Sequence, residues 1–200
     1  MKSGVIDWAV NCYTLPGQSE CGDRHVVVAQ DQRALLAAVD GVGHGPYAAA
    51  AAIKATNIIQ EYGTTESLTA LVQRCHACLQ DGRGVVMSLA MLEAEMRTMM
   101  WLGVGNVSGA LCRKAAAFNR KSETLLLRAG VVGKQLPWLH AASLPVVRGD
   151  VLVLATDGIS GDFAESVVPD REPQRIADDV VEHYGKRTDD ALALVARFLG

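Results

Sequence analysis

The sequence predicts an α+β fold, because apolar runs of strand length lie on both sides of two consecutive helical segments. Residues 26–29 and 34–39 are β-branched or aliphatic runs separated by the polar residues 31–33, which is typical of a β-hairpin. The alanine-rich segment 47–62 predicts the first helix. Segment 66–80, whose apolar residues have helical spacing, predicts the second.

The second half of the chain is dominated by strand-length runs with turn signals between them, which predicts an antiparallel meander. These runs are residues 85–92, 98–104, 110–116 and 124–127. Residues 131–148 contain two prolines and are predicted to be irregular. The remaining predicted elements are a strand at 150–155, a helix at 173–184 and a strand at 191–198.

Length and composition exclude several classes of protein. Of the 200 residues, 50% are hydrophobic and 20% are charged, so the chain can bury a core and does not belong to the disordered class. We expect a single domain over residues 1–200. The formal net charge of −3 argues against a general nucleic-acid binder, and we expect no nucleic-acid partner.

The sequence also bears on cellular location. It contains no apolar stretch of about 18 residues, the length that predicts a membrane-spanning helix, and no secretory signal opens it. Its five cysteines are odd in number and scattered, which does not suggest a disulfide framework. We therefore expect a cytoplasmic protein with no membrane contact.

Acidic residues follow or precede several apolar strands. Any one of them has an ordinary explanation, because Asp-Gly is a common turn dipeptide and Asp commonly caps helices. Together they predict a cluster at one rim of a sheet, where mutually repelling carboxylates need a cation. Mg²⁺ and Mn²⁺ prefer such oxygen ligands, and a glycine carbonyl could contribute one more. The residues concerned are Asp23, Asp40-Gly41, Asp157-Gly158 and Asp189-Asp190.

The order and spacing of these motifs resemble the metal-dependent PPM/PP2C serine/threonine phosphatases, in particular their short SpoIIE-like bacterial branch of sporulation and stress regulators. The residues that carry the resemblance are Gly22-Asp23, Asp40-Gly41-Val42-Gly43-His44-Gly45, Thr156-Asp157-Gly158 and Asp189-Asp190. The resemblance implies an αββα sandwich, in which two antiparallel sheets are flanked by helices. It also implies two Mn²⁺ or Mg²⁺ ions, with a third ion as a further option.

The resemblance also implies a role for each motif residue. Asp40 would bridge the two ions, and the Gly41 carbonyl would bind one of them. Asp157 and Asp189 would bind the other, with Asp190 as the alternative ligand in the C-terminal pair. Asp23 would hold metal-bound water or a further ion.

The implied activity is hydrolysis of phosphoserine or phosphothreonine by a water activated between two metals. His44 could protonate the leaving alkoxide, or it could simply fill a loop between glycines. Asn106 could hydrogen-bond across the site, or it could serve only a turn. The resemblance further implies STAS-domain stressosome proteins as substrates, and we expect a monomer. Trp138 and Phe163 are candidate aromatic anchors for that partner.

Two departures from the family pattern are present. Leu192 stands where the C-terminal motif commonly has threonine, and no clear equivalent exists for the arginine that holds phosphate in larger members, although Arg24 adjoins Asp23. Two alternatives to the phosphatase interpretation stay open at this point. One is another two-metal phosphoester hydrolase, such as a nuclease, and the other is a non-catalytic module that binds phosphoproteins.

Overall fold

Two antiparallel sheets lie face to face, and helices cover both outer faces. The structure is a computed structural model that describes residues 1–18, 20–114 and 122–200. In chain order the elements are β1 (Lys2–Ser3), β2 (Ile6–Tyr13), β3 (Asp23–Gln30), β4 (Arg33–Gly41), α1 (Pro46–Tyr62), α2 (Leu68–Cys78), β5 (Val85–Glu93), β6 (Thr98–Val104), β7 (Ser108–Cys112), β8 (Ser122–Thr124), β9 (Ala142–Pro145), β10 (Val151–Ala155), α3 (Pro173–Tyr184) and β11 (Ala191–Phe198). A short 3₁₀ helix, Phe163–Ser166, lies between β10 and α3.

The first sheet has the strand order β1-β2-β11-β10-β7-β8, and the second has the order β3-β4-β5-β6-β9. Every pair of neighbouring strands is antiparallel. This arrangement confirms the predicted α+β class and the αββα sandwich.

Three apolar layers hold the sandwich together, because both faces of each sheet are covered. On β4, Leu36 and Ala38 pack between the sheets, whereas Leu35 and Ala37 pack against α1 and α2. Strand β11 likewise alternates between the inter-sheet layer and a third layer beneath α3. Burial on both faces explains why the central strands are almost continuously apolar rather than alternating with polar residues.

The prediction of one meander is wrong. Strands β5 and β6 pair in the second sheet, but the chain then crosses over, and β7 and β8 belong to the first sheet. The crossing runs through Gly105, whose φ of 94° favours glycine and whose missing Cβ makes room for Val86. Turn signals indicate where a strand ends but not which sheet the next one joins.

The predicted bounds agree closely for α1, α3, β5, β6, β10 and β11, whereas other elements differ. The strand predicted at 110–116 ends at Cys112, and residues 115–121 lie outside the described residues. The strand predicted at 124–127 is β8, at Ser122–Thr124, and the segment expected to be irregular contains β9. Strand β2 was not predicted. No helix in the described parts of the chain combines the length and hydropathy needed to cross a bilayer.

Candidate metal centre

Two carboxylates of the second sheet lie side by side at one end of the sandwich. Asp23 on β3 and Asp40 on β4 are register partners, so their side chains share one face of the sheet. It is the face on which Leu36 and Ala38 pack between the sheets. Asp23 is buried and Asp40 is half-buried. The sandwich therefore ends in a pair of acidic groups directed toward the opposite sheet.

The opposite sheet contributes its acidic residues at the same end. Asp157 follows β10 and Asp189 precedes β11, and these strands are antiparallel neighbours. Burial, followed by repulsion from Asp157 and then Asp189, raises the pKa of Asp40 to about 8. Burial and the charge of Asp40 raise the pKa of Asp23 to about 9. The predicted convergence of carboxylates from separate strand ends is therefore present.

Uncharged side chains fix the orientation of these carboxylates. The Thr156 hydroxyl donates to Asp23 Oδ2 at 2.6 Å, which ties the two sheets together at this end, and it accepts from the Leu192 N–H at 2.8 Å. Asn106 donates its amide N–H to Asp157 Oδ2 at 2.7 Å, so it does hydrogen-bond across the site. Both carboxylates are thus oriented by uncharged donors.

The structure distinguishes the two members of the C-terminal pair. Asp190 is 5% exposed, and its carboxylate accepts from the Leu15 N–H at 2.8 Å and from the Gly22 N–H at 2.5 Å. Asp189 is exposed, and one of its oxygens accepts from the Asp190 N–H at 2.9 Å. The Asp190 carboxylate is occupied by backbone donors, which leaves Asp189 better placed to receive a cation.

Gly41 is required at its position by packing. A Cβ atom there would lie 2.1 Å from the carbonyl oxygen of Ala48, in the first turns of α1. The Gly41 N–H donates to the Gly22 carbonyl at 3.2 Å. The start of α1 can therefore lie directly against the end of β4, next to Asp40. The loop that follows carries His44, which is exposed.

Two cations that the sequence analysis did not single out adjoin the acidic end. The Arg83 guanidinium donates to the Val42 carbonyl at 3.2 Å, and the Lys186 ammonium donates to the Asp157 carbonyl at 2.6 Å. Within residues 1–18, 20–114 and 122–200, no cationic side chain forms a salt bridge with any of the clustered carboxylates. Arg83 lies just before β5, and Lys186 follows the end of α3.

Arg24 does not lie with this group. Along β3 it shares a face with Val26 and Val28, which pack toward α1 and α2, so it lies on the opposite face from Asp23. Its guanidinium donates to the Asp23 carbonyl at 3.1 Å. Arg24 is therefore not an equivalent of the family's phosphate-holding arginine.

The donors at this end suit a hard divalent cation. All are carboxylate or carbonyl oxygens, the ligands that Mg²⁺ and Mn²⁺ prefer. In the described part of the chain, no three His, Cys, Asp or Glu side chains come close enough to enclose an ion by themselves. Mg²⁺ keeps several waters and commonly takes only one or two protein carboxylates. The residues fit such an ion if water completes its coordination shell.

The two predicted aromatic anchors have different environments. Phe163 is 2% exposed and packs in the layer beneath α3, so its prediction as a surface anchor is wrong. The 3₁₀ helix that carries Phe163 turns this side chain into the core. Trp138 is 72% exposed, stacks on His140 with ring centroids 5.5 Å apart and lies beneath the Arg128 guanidinium. Its role in docking stays a prediction.

Comparison with known proteins reveals relatives along most of the chain. Residues 30–199 match the family model for Stage II sporulation protein E (SpoIIE). The phosphoserine phosphatase RsbX of Bacillus subtilis (strain 168) is 23% identical over 176 residues, which cover 87% of this chain and 85% of RsbX.

Solved structures agree with this match. A structure described as the bacterial stressosome, a modular system adapted to control secondary messenger signalling, matches with a TM-score of 0.87 and 27% identity, covering 96% of this chain and 99% of the other. RsbX in complex with magnesium matches with a TM-score of 0.87 and 20% identity, and the match covers 99% of this chain and 98% of the other. The PP2C phosphatase domain of Bacillus subtilis SpoIIE matches with a TM-score of 0.80 and 16% identity, and the match covers 98% of this chain and 64% of the other. The predicted PP2C-like fold and SpoIIE-branch resemblance are confirmed.

Proposed function

The chain belongs to the SpoIIE family, and on this premise we propose that it is a metal-dependent protein serine/threonine phosphatase. The observation that carries the proposal is the convergence of carboxylates from both sheets at one end of the sandwich. Asp23 and Asp40 come from one sheet, and Asp157 and Asp189 come from the other. The raised pKa of Asp40 indicates a cluster that a cation would stabilise.

The acidic end would hold two Mn²⁺ or Mg²⁺ ions. Asp40 would bind both ions, and the Gly41 carbonyl would bind one of them. Asp157 and Asp189 would bind the other ion, and Asp23 would hold water or a third ion. RsbX, a relative with the same fold, was solved in complex with magnesium, which supports this choice. When bound, such ions lower the pKa of coordinated water and neutralise charge on the phosphoryl oxygens. Asn106 and Thr156 would keep two of the carboxylates oriented.

Arg83 and Lys186 would bind the phosphate group of the substrate. Each is held beside the cluster by a backbone carbonyl rather than by a carboxylate, so its charge is not neutralised by an ion pair there. An arginine can also bind two phosphate oxygens at once. These cations would orient a phosphoester over the acidic end from two sides. His44, on the exposed loop after Asp40, would supply the proton to the leaving serine or threonine oxygen.

The substrate class follows from the relatives. RsbX is named a phosphoserine phosphatase, and another structural relative is described as a stressosome. We therefore propose a phosphorylated stress-signalling protein, specifically a STAS-domain stressosome protein. We also propose that the protein is a cytoplasmic monomer and that residues 1–200 form one domain.

The proposal is tested by p-nitrophenyl phosphate hydrolysis with excess Mn²⁺ and after exhaustive chelation. We expect metal-dependent turnover that Asp157→Asn abolishes. Asp31→Asn is the matched control, because Asp31 is an exposed residue in the β3–β4 turn, at the opposite end of the sheet from Asp40. Full turnover in the chelated enzyme would refute the metal requirement. Phosphoprotein binding without turnover would favour a non-catalytic module, and cleavage of nucleic acid instead would favour a nuclease.

A further inference from the structure

Two cysteine sulfurs meet next to the acidic end. Cys12 Sγ, on β2, lies 3.2 Å from Cys21 Sγ, which precedes β3. Cys12 is exposed and Cys21 is buried. The chain's other cysteines are arranged differently: Cys75 and Cys112 are buried against backbone carbonyls, and Cys78 is exposed at the end of α2. The Cys12–Cys21 contact was not anticipated from the sequence, which separates the two residues by a turn-rich segment.

We propose that Cys12 and Cys21 form a reversible thiol–disulfide modification site that reacts with hydroperoxides. A disulfide needs the sulfurs at about 2.05 Å, so closing the bond requires an approach of only about 1.2 Å. Exposure of Cys12 gives a hydroperoxide access to the pair. The pair is a dithiol in the structure described here, and oxidation would convert it without unfolding the sandwich.

The dithiol would be oxidised to the disulfide in two steps. A hydroperoxide ROOH oxidises the first thiol to a sulfenic acid and is itself reduced to the alcohol ROH. The sulfur of the second thiol then attacks the sulfenic sulfur, the S–S bond forms, and the hydroxyl leaves as water with the second thiol's proton. A dithiol reductant reverses the modification by thiol–disulfide exchange.

Disulfide formation would alter the acidic end by moving the backbone that joins Cys21 to Asp23. Gly22 follows Cys21 directly and donates to the Asp190 carboxylate, which also accepts from Leu15, three residues after Cys12. Asp23 follows Gly22, and its carboxylate holds the Thr156 hydroxyl. Drawing Cys21 toward Cys12 therefore displaces the segment that positions Asp23. This consequence rests on the proposed phosphatase function, whereas formation of the disulfide does not.

The experiment treats the metal-free protein with hydrogen peroxide and maps its cysteines by mass spectrometry without reduction. We expect a peptide linked through Cys12 and Cys21 that dithiothreitol removes. Cys12→Ser and Cys21→Ser should both lack it, whereas the control Cys78→Ser should retain it. Finding instead only sulfinic or sulfonic acid at Cys12, or linkage through other cysteines, would overturn the site. Because the mass-spectrometric mapping of cysteines does not require enzyme activity, its result is independent of the phosphatase proposal.

The functional consequence has its own measurement. After removal of peroxide and addition of Mn²⁺, the oxidised protein should hydrolyse p-nitrophenyl phosphate about 10- to 100-fold more slowly, because a misplacement of about 1 Å can cost that much. Reductant should restore the rate, and Cys12→Ser should resist the loss. Unchanged turnover in the linked protein, or an equal loss in Cys12→Ser, would overturn the regulatory role. Absence of turnover in the reduced wild type would contradict the proposed function instead.

Discussion

Alanine replacements in the Asp189-Asp190 pair should affect different properties: Asp190→Ala should lower stability, whereas Asp189→Ala should abolish turnover and leave stability almost unchanged. The Asp190 carboxylate is buried and accepts two backbone N–H bonds, from Leu15 and Gly22. Bonds to a charged acceptor contribute about 1.5–3 kcal/mol each, and Asp190→Ala also leaves both donors without this acceptor. The lost repulsion between Asp190 and Asp40 offsets part of this cost. We therefore expect Asp190→Ala to lower the free energy of unfolding by about 2–4 kcal/mol.

Thermal unfolding and turnover, measured on the same preparations, test this prediction. For a chain of this size, that loss lowers Tm by about 5–15 °C. Asp189→Ala removes an exposed side chain and should change the free energy of unfolding by no more than about 0.5 kcal/mol, while Mn²⁺-dependent turnover falls to background. Asp190→Asn, which retains one acceptor oxygen, should lie between wild type and Asp190→Ala in Tm. If Asp190→Ala unfolds with the wild-type Tm, or if Asp189→Ala keeps wild-type turnover, the assignment of roles within the pair is wrong.

Asp40, Asp150 and Trp138 can each be tested by a single substitution. The metal-free protein should become less stable as the pH rises from 4 to 8. The pKa of Asp40 is raised from 3.8 to about 8, so the folded state binds a proton more tightly than the unfolded state over this range. By calorimetry in chelator, the stability of Asp40→Asn relative to wild type should increase as the pH rises over that range. A stability difference that does not change with pH would contradict this prediction. Asp150→Ala should lower the free energy of unfolding, measured by denaturant, by about 3–5 kcal/mol. It removes a buried carboxylate that accepts from the Arg113 guanidinium and from two backbone N–H groups, although Arg113 keeps its ion pair with Glu123. A loss below about 1 kcal/mol, the usual contribution of an exposed ion pair, would contradict this. Trp138→Ala should lower turnover of a phosphoprotein and spare p-nitrophenyl phosphate, and equal losses on both substrates would exclude a docking role.

The sequence was sufficient for elements whose apolar pattern is uninterrupted. Helix α3 agrees with its predicted bounds because its apolar residues repeat at helical spacing, and β11 agrees because it is an almost continuous apolar run of strand length. Strand β2 was missed because Asp7 and Asn11 interrupt its apolar run. Asn11 donates to Asp178 on α3 at 2.8 Å, a contact between residues 167 positions apart in the chain. Such a partner satisfies a polar group in a strand but leaves no local signal in the sequence.

The sequence predicted the carboxylates of the candidate site and the hydrogen bond of Asn106, but not the other residues around them. Asp40 and Asp157 were identifiable because each ends an apolar strand in an Asp-Gly turn. Distinguishing Asp189 from Asp190 required the backbone donors of Leu15 and Gly22, which lie about 170 positions earlier in the chain and therefore leave no local pattern. The same reason applies to Arg83 and Lys186, whose partners are backbone carbonyls on other elements.

Titration of Mn²⁺ followed by electron paramagnetic resonance tests most directly whether the acidic end binds hard divalent cations. The six-line signal of free Mn²⁺ weakens when the ion binds protein, so the measurement does not depend on catalysis. We expect about two bound Mn²⁺ per wild-type chain, markedly weaker binding by Asp40→Asn, and wild-type binding by Asp31→Asn. Equal Mn²⁺ affinity in wild type and Asp40→Asn would contradict a metal site at the acidic end.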